Sequence, residues 1–152
     1  MSSDSDIDKV AEELQSKVLV GYSDVVVDHA QNPRNLGSLP NADGFASITG
    51  SCGDNMEIWL NVKDGIISEV GFWTDGCGSS IVAGSMATEL AKGKSLAVAS
   101  RISQQDILGA LGGLPEESEH CALLASNAVK EAIKNYLALK NEPWKKAYRR
   151  QT

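Results

Sequence analysis

The chain lacks any run of 18 apolar residues, so no segment of it is long enough to cross a bilayer as a helix. It also lacks an excess of positive charge. Lys+Arg number 14 against 20 Asp+Glu, and the resulting net charge of -6 repels phosphate backbones and anionic membranes. A nucleic-acid ligand would need a strong local basic patch. The opening string MSSDSDIDKV has neither the basic flank and apolar stretch of a signal peptide nor the Arg content of a mitochondrial presequence. A cytoplasmic location is therefore expected. Cysteine is scarce, and Cys52, Cys77 and Cys121 are an odd number that cannot pair completely within one chain. No Cys-x-x-Cys pair occurs, which removes a zinc ribbon and a thioredoxin-type redox pair. No internal repeat is present, and the Gly-x-x-x-x-Gly-Lys-Ser/Thr string of a phosphate loop is missing.

What is there suits one folded unit. The 152 residues are 42% hydrophobic, enough for a single domain with a real core. Composition shifts only at the ends. This divides the chain into an N-terminal extension at 1–20, a domain at 21–138 and a basic tail at 139–152. In the extension Ile7, Val10, Ala11, Leu14 and Val18 recur at spacings of three and four, a helical stripe. The tail places Trp144, Lys145, Lys146, Tyr148, Arg149 and Arg150 close together, a solvated run or a docking site for an acidic surface.

Within the domain, a helix is expected over Asp24 to Ala30, ending before Pro33 because the ring disfavours the α conformation at Asn32. His29 near its end reads as a cation favoured by the helix dipole. Tyr22, just ahead of it, reads as either packing or partner contact. Phe45 to Ser51 is β-prone. Met56, Ile58, Leu60 and Val62 then alternate with polar residues, Asp64-Gly65 marks a hairpin turn, and Ile66 to Thr74 resumes the strand pattern. Trp59 and Trp73 read as core or half-buried strand residues. After Gly76-Cys77-Gly78, Ser79 or Ser80 is expected to cap a helix reaching about Lys92, where Gly93 ends it. Two shorter helices follow, near Ser95 to Ile102 and Ser103 to Leu111. In the last long helix Ala125, Ala128, Val129, Ala132, Ile133, Tyr136 and Leu137 should face inward, with Ser126, Asn127, Lys130, Glu131, Lys134 and Asn135 toward water. The expected fold class is α+β: a three-stranded, mainly antiparallel sheet with helices packed on one face and a long C-terminal helix.

The cysteines occupy telling positions. Cys52 lies in a turn between strands, whereas Cys77 and Cys121 each stand just ahead of or at the start of a helix, where unpaired N–H groups favour a thiolate. Asp54 and His120 stand close to Cys52 and Cys121 in sequence. Thiolates select zinc, copper(I) or iron–sulfur centres, and a carboxylate or imidazole can supply a fourth ligand. Spacing alone equally fits three small buried residues. A catalytic Cys-His pair, with Cys77 as nucleophile and His120 as base, is the alternative of another class.

From about Tyr22 to Tyr136 the chain resembles the U-type iron–sulfur cluster assembly scaffolds, the IscU family and the N-terminal domain of NifU. The matching strings are Tyr-Ser-Asp at 22–24, Asp-His at 28–29, Asn-Pro-Arg-Asn at 32–35 and Cys-Gly-Asp at 52–54. They continue with Gly-Cys-Gly-Ser at 76–79, Lys-Gly-Lys-Ser at 92–95 and His-Cys at 120–121. This ordered set outweighs the catalytic pair. The resemblance implies a non-enzymatic scaffold that receives sulfur from a cysteine desulfurase, builds a transient [2Fe-2S] cluster and passes it to apo iron–sulfur proteins. By position, Cys52, Cys77 and Cys121 would be cluster-binding and persulfide-accepting thiols, with Asp54 and His120 as adjacent ligands or modulators. Zinc would fit the same ligands in the purified protein. A homodimer or trimer is compatible with the resemblance, whereas nucleic acid and membrane partners are not expected. Where IscU relatives carry the Leu-Pro-Pro-Val-Lys motif read by an Hsp70-type chaperone, this chain has Leu114-Pro115-Glu116-Glu117-Ser118, so the motif is altered. The alternative within the family is a SufU-like zinc-bound sulfur carrier. His120 and the lack of an insertion between Cys77 and Cys121 favour the scaffold.

Overall fold

A computed structural model describes residues 22–141, so the stripe at 7–18 and residues 142–152 of the basic tail fall outside the described residues, whereas 139–141 continue the last helix. Helix α1 (Asp24–Gln31) leads through a loop to strands β1 (Gly44–Thr49), β2 (Asn55–Lys63) and β3 (Ile66–Thr74). Helices α2 (Gly78–Ala91), α3 (Leu96–Ala99), α4 (Gln104–Leu111) and α5 (Glu119–Asn141) follow, α5 being preceded by a 3-10 turn at Glu116–Ser118.

The strands form one antiparallel sheet in the order β1-β2-β3. The tight connection between β2 and β3 is made by Asp64 and Gly65 at φ 55° and 76°. Two consecutive positive φ values match the right-handed twist of a hairpin, which explains the Asp-Gly pair. Register places Ala46 opposite Ile58 and Ile58 opposite Phe72, with Met56 and Leu60 on the same face. Met56, Ile58, Leu60 and Phe72 have no exposed surface, and each such side chain contributes about 1.5–3 kcal/mol by leaving water. A bulge between Asn61 and Val62 breaks the register, and Val62 ends half-buried rather than in the core. On the opposite face Phe45 packs on Trp59 with ring centroids 5.4 Å apart, so the break in alternation at Trp59 is a cross-strand aromatic pair. Trp73 on that face is 44% exposed.

The apolar face is covered by α2 and α5. Gly84 of α2 rests on the Phe72 ring, and Gly44 of β1 lies under Ala132 and Tyr136 of α5. Helix α4 packs on α5 and α2, and α1 packs on α2. Ser23 links two of these ends. Its hydroxyl accepts from Val26 N, capping α1, and donates to Leu111 O at the end of α4. Tyr22 is buried within the core.

Several expectations change. The cap of α2 is Cys77, with no side-chain cap bond, and both Ser79 and Ser80 lie inside the helix. β1 stops at Thr49, because Gly50 N donates to Asp54 O and closes a loop there. Between Ser95 and Ile102 only Leu96–Ala99 is helical. Along α5 the buried stripe passes through half-buried Tyr136 to Leu139, which turns Leu137 to solvent at 43% exposure. Ser126 is buried, not solvent-facing, because α5 packs against α2 and α4 as well as the sheet. Its hydroxyl is satisfied by Leu123 O. His29 is also not a helix-end cation. It is buried, its Nδ1 lies 2.7 Å from Ser85 Oγ, and burial pushes its pKa down, which favours the neutral imidazole.

Candidate metal centre

Three separate elements deliver the cysteines to one place. Cys52 sits in the β1–β2 loop, Cys77 at the start of α2 and Cys121 in the first turn of α5. The loop is shaped by Gly53 at φ 90°, a backbone state that a side chain disfavours. Two groups of potential ligand atoms result, each within 4.8 Å of one another: Cys52, Asp54 and His120, and Asp54, Cys77 and Cys121. Asp54 belongs to both. A further contact, 3.6 Å between Cys121 Sγ and His120 Nε2, joins them. All five residues singled out in the sequence are therefore neighbours, and none is left elsewhere on the fold.

The thiols differ in environment. Cys52 and Cys77 are exposed, whereas Cys121 is buried. A hydrogen bond from the Cys121 thiol holds the Cys77 pKa down to about 5, aided by the backbone N–H groups of Ser80 and Ser79 in the first turn of α2. Burial opposes this shift and loses to the sum of those donors. The same contact with Cys77, together with burial, pushes Cys121 strongly up. At neutral pH the pair is a Cys77 thiolate receiving a proton bond from a Cys121 thiol. An exposed thiolate beside a carboxylate and a buried thiol can act as nucleophile toward sulfur and as ligand to a soft metal.

Sequence reasoning passed over one contributor. Ser80, seen only as a candidate cap, is fully buried and donates to Asp54 Oδ2 at 2.9 Å. Its place three residues after Cys77, one helical turn on, is the only sequence signal it carries. Gly76, part of the motif around Cys77, makes room for that bond. A Cβ there would lie 2.5 Å from Ser80 Oγ and 2.7 Å from Asp54 Oδ2. Further out, Ser79 Oγ donates to Ser118 Oγ at 3.0 Å and Gln104 Nε2 to Glu119 O at 2.9 Å, tying the start of α5 to α2 and α4.

Residues 21–143 match the profile of the NifU-like N terminal domain. The chain is 47% identical over 116 residues to iron-sulfur cluster assembly scaffold protein IscU 1 of Archaeoglobus fulgidus, the match covering 76% of each chain. It is 44% identical over 122 residues to iron-sulfur cluster assembly scaffold protein IscU of Escherichia coli K12, covering 77% of this chain and 94% of that one. Among solved structures, the N-terminal part of a nitrogen-fixing NifU-like protein from Brucella abortus superposes with a TM-score of 0.61 at 19% identity, covering 76% of this chain and 94% of the other. That likeness concerns the fold. With the sequence matches spanning most of the described residues, this chain belongs to the NifU-like N-terminal domain family.

Proposed function

We propose that the chain is a scaffold on which a [2Fe-2S] cluster is assembled from iron and desulfurase-derived sulfur, and from which the cluster passes to apo-proteins. The observation that carries this reading is the convergence of Cys52, Cys77 and Cys121 with Asp54 and His120, from three elements, at a partly exposed site. Curated relatives at 44–47% identity bear the name of such scaffolds, which supports it.

The chemistry follows from the states of the thiols. Cys77, held as thiolate, is the first acceptor. Its sulfur attacks the outer sulfur of a desulfurase persulfide, the new S–S bond forms on Cys77, and the desulfurase cysteine leaves as thiolate. Cys121 waits as a buried thiol and must give up its proton before it can bind iron. The cluster is cargo, so the ligand set has to release it. Three thiolates bind iron through soft sulfur, while the carboxylate of Asp54 or the imidazole of His120 offers a bond that exchanges more readily. A permanent four-thiolate site would hold its cluster instead.

The test is anaerobic reconstitution with iron, cysteine and a cysteine desulfurase, followed by visible absorption and transfer to an apo-ferredoxin. A [2Fe-2S] spectrum that decays as the acceptor gains its cluster supports the scaffold. Tight zinc without a cluster, together with faster desulfurase turnover, would replace it by a zinc-bound sulfur carrier.

A further inference from the structure

The buried hydroxyl of Ser80 stands between two of the candidate ligands. It donates to Asp54 Oδ2 at 2.9 Å and lies 3.4 Å from Cys121 Sγ. A hydroxyl has one proton to give. The carboxylate oxygen, at the shorter contact, is the stronger acceptor for it, and Cys121 Sγ and the Cys77 sulfur compete for the same proton as weaker acceptors. Among the described residues Ser80 is the only hydrogen-bond donor to the Asp54 side chain. Asp54 otherwise sits at the end of the β1–β2 loop. Room for the bond exists because position 76 has no side chain: a Cβ there would press on both oxygens.

We propose that Ser80 is the positioning residue for Asp54. Its hydroxyl anchors one carboxylate oxygen, so that the group stays at the point shared by the two ligand trios and the other oxygen is free to take a metal alongside the thiolates. The inference rests on the reading that these side chains hold metal. Donors that orient a ligating carboxylate commonly matter about 10–100-fold in metal affinity. Because the effect runs through Asp54, it must vanish when Asp54 is removed.

The experiment uses the full chain stripped of metal. Zn(II) affinity is measured against a competing chelator, and Co(II) absorption is recorded, for wild type, Ser80→Ala, Asp54→Ala and the double variant. The expected result is about a 10-fold loss of Zn(II) affinity in Ser80→Ala, with a Co(II) spectrum shifted toward that of Asp54→Ala. In the double variant no loss beyond Asp54→Ala is expected. An undiminished loss in the Asp54→Ala background overturns the proposal, as does a Ser80→Ala protein with wild-type affinity and spectrum. Should Ser80→Ala fail to fold, Gly76→Ala crowds the same hydrogen bond, and wild-type Zn(II) affinity in that variant overturns the proposal equally. A wild-type chain that binds neither ion overturns the metal reading and this inference together. Retained metal coupling with failed cluster reconstitution overturns only the [2Fe-2S] assignment.

Discussion

His120 Nε2 and Cys52 Sγ meet at 3.1 Å although 68 residues separate them in the chain. The contact joins the tip of the β1–β2 loop to the first turn of α5 across the mouth of the site. Cys77 and Cys121 form a second pairing behind it, with Asp54 between the two. The three thiols are thus unequal, and their inequality is measurable.

Alkylation should resolve it. Iodoacetamide is expected to modify Cys77 in the folded, metal-free protein at a rate that stays flat between about pH 6 and pH 8, because a thiolate whose pKa is about 5 is already formed there. Below that pKa the rate should fall with the thiolate fraction. Cys121, buried and pushed up by its contact with Cys77, should remain unmodified until the chain unfolds. Peptide mapping by mass spectrometry reads the order, and early labelling of Cys121 would contradict the pairing.

Asp54→Ala should lengthen the life of a reconstituted cluster and slow its transfer. On the proposed reading the carboxylate is the hard, readily exchanged partner in a set otherwise rich in sulfur, and removing it closes that route of release. Decay of the visible bands with and without an apo-ferredoxin measures both rates. A variant that loses its cluster faster than wild type would refute this role.

The buried His29 imidazole gives a pH-dependent contribution to stability. Burial, reinforced by Arg34, lowers its pKa against the opposing pull of Asp28 and Glu89. The unfolded chain therefore binds the proton first as pH falls. Stability from the neutral imidazole is complete above the ordinary histidine pKa and is lost on acidification toward the folded value. His29→Gln can still reach Ser85 but does not titrate. Urea midpoints at about pH 7.5 and about pH 5.5 should fall more in wild type than in this variant, and equal falls would disprove the assignment.

Gly84→Ala should destabilise the fold by about 1–3 kcal/mol, the usual cost of overpacking. A Cβ at Gly84 would lie 2.5 Å from the Phe72 ring, and both residues sit at the contact between α2 and β3, with no exposed surface on the ring. Neither group can retreat without moving a helix or a strand. The melting temperature checks it, and an unchanged value would mean that the contact is looser than described.

Much of this protein is written in local sequence. The Asp64-Gly65 turn, the alternation at Met56, Ile58 and Leu60 and the stripe through Ala125, Val129 and Ile133 each follow from backbone sterics or from helical and strand periods, which act over a few residues. The motifs around Cys52, Cys77 and His120-Cys121 likewise named the candidate ligands. Only the tertiary structure decided that these residues meet, that Cys77 rather than Cys121 holds the negative charge, that Ser80 serves Asp54 instead of capping a helix, and that His29 is buried and neutral. Protonation states and side-chain partners depend on burial and on donors brought in from distant elements. Those are set by how α2 and α5 seat on the sheet, which no window of neighbouring residues records.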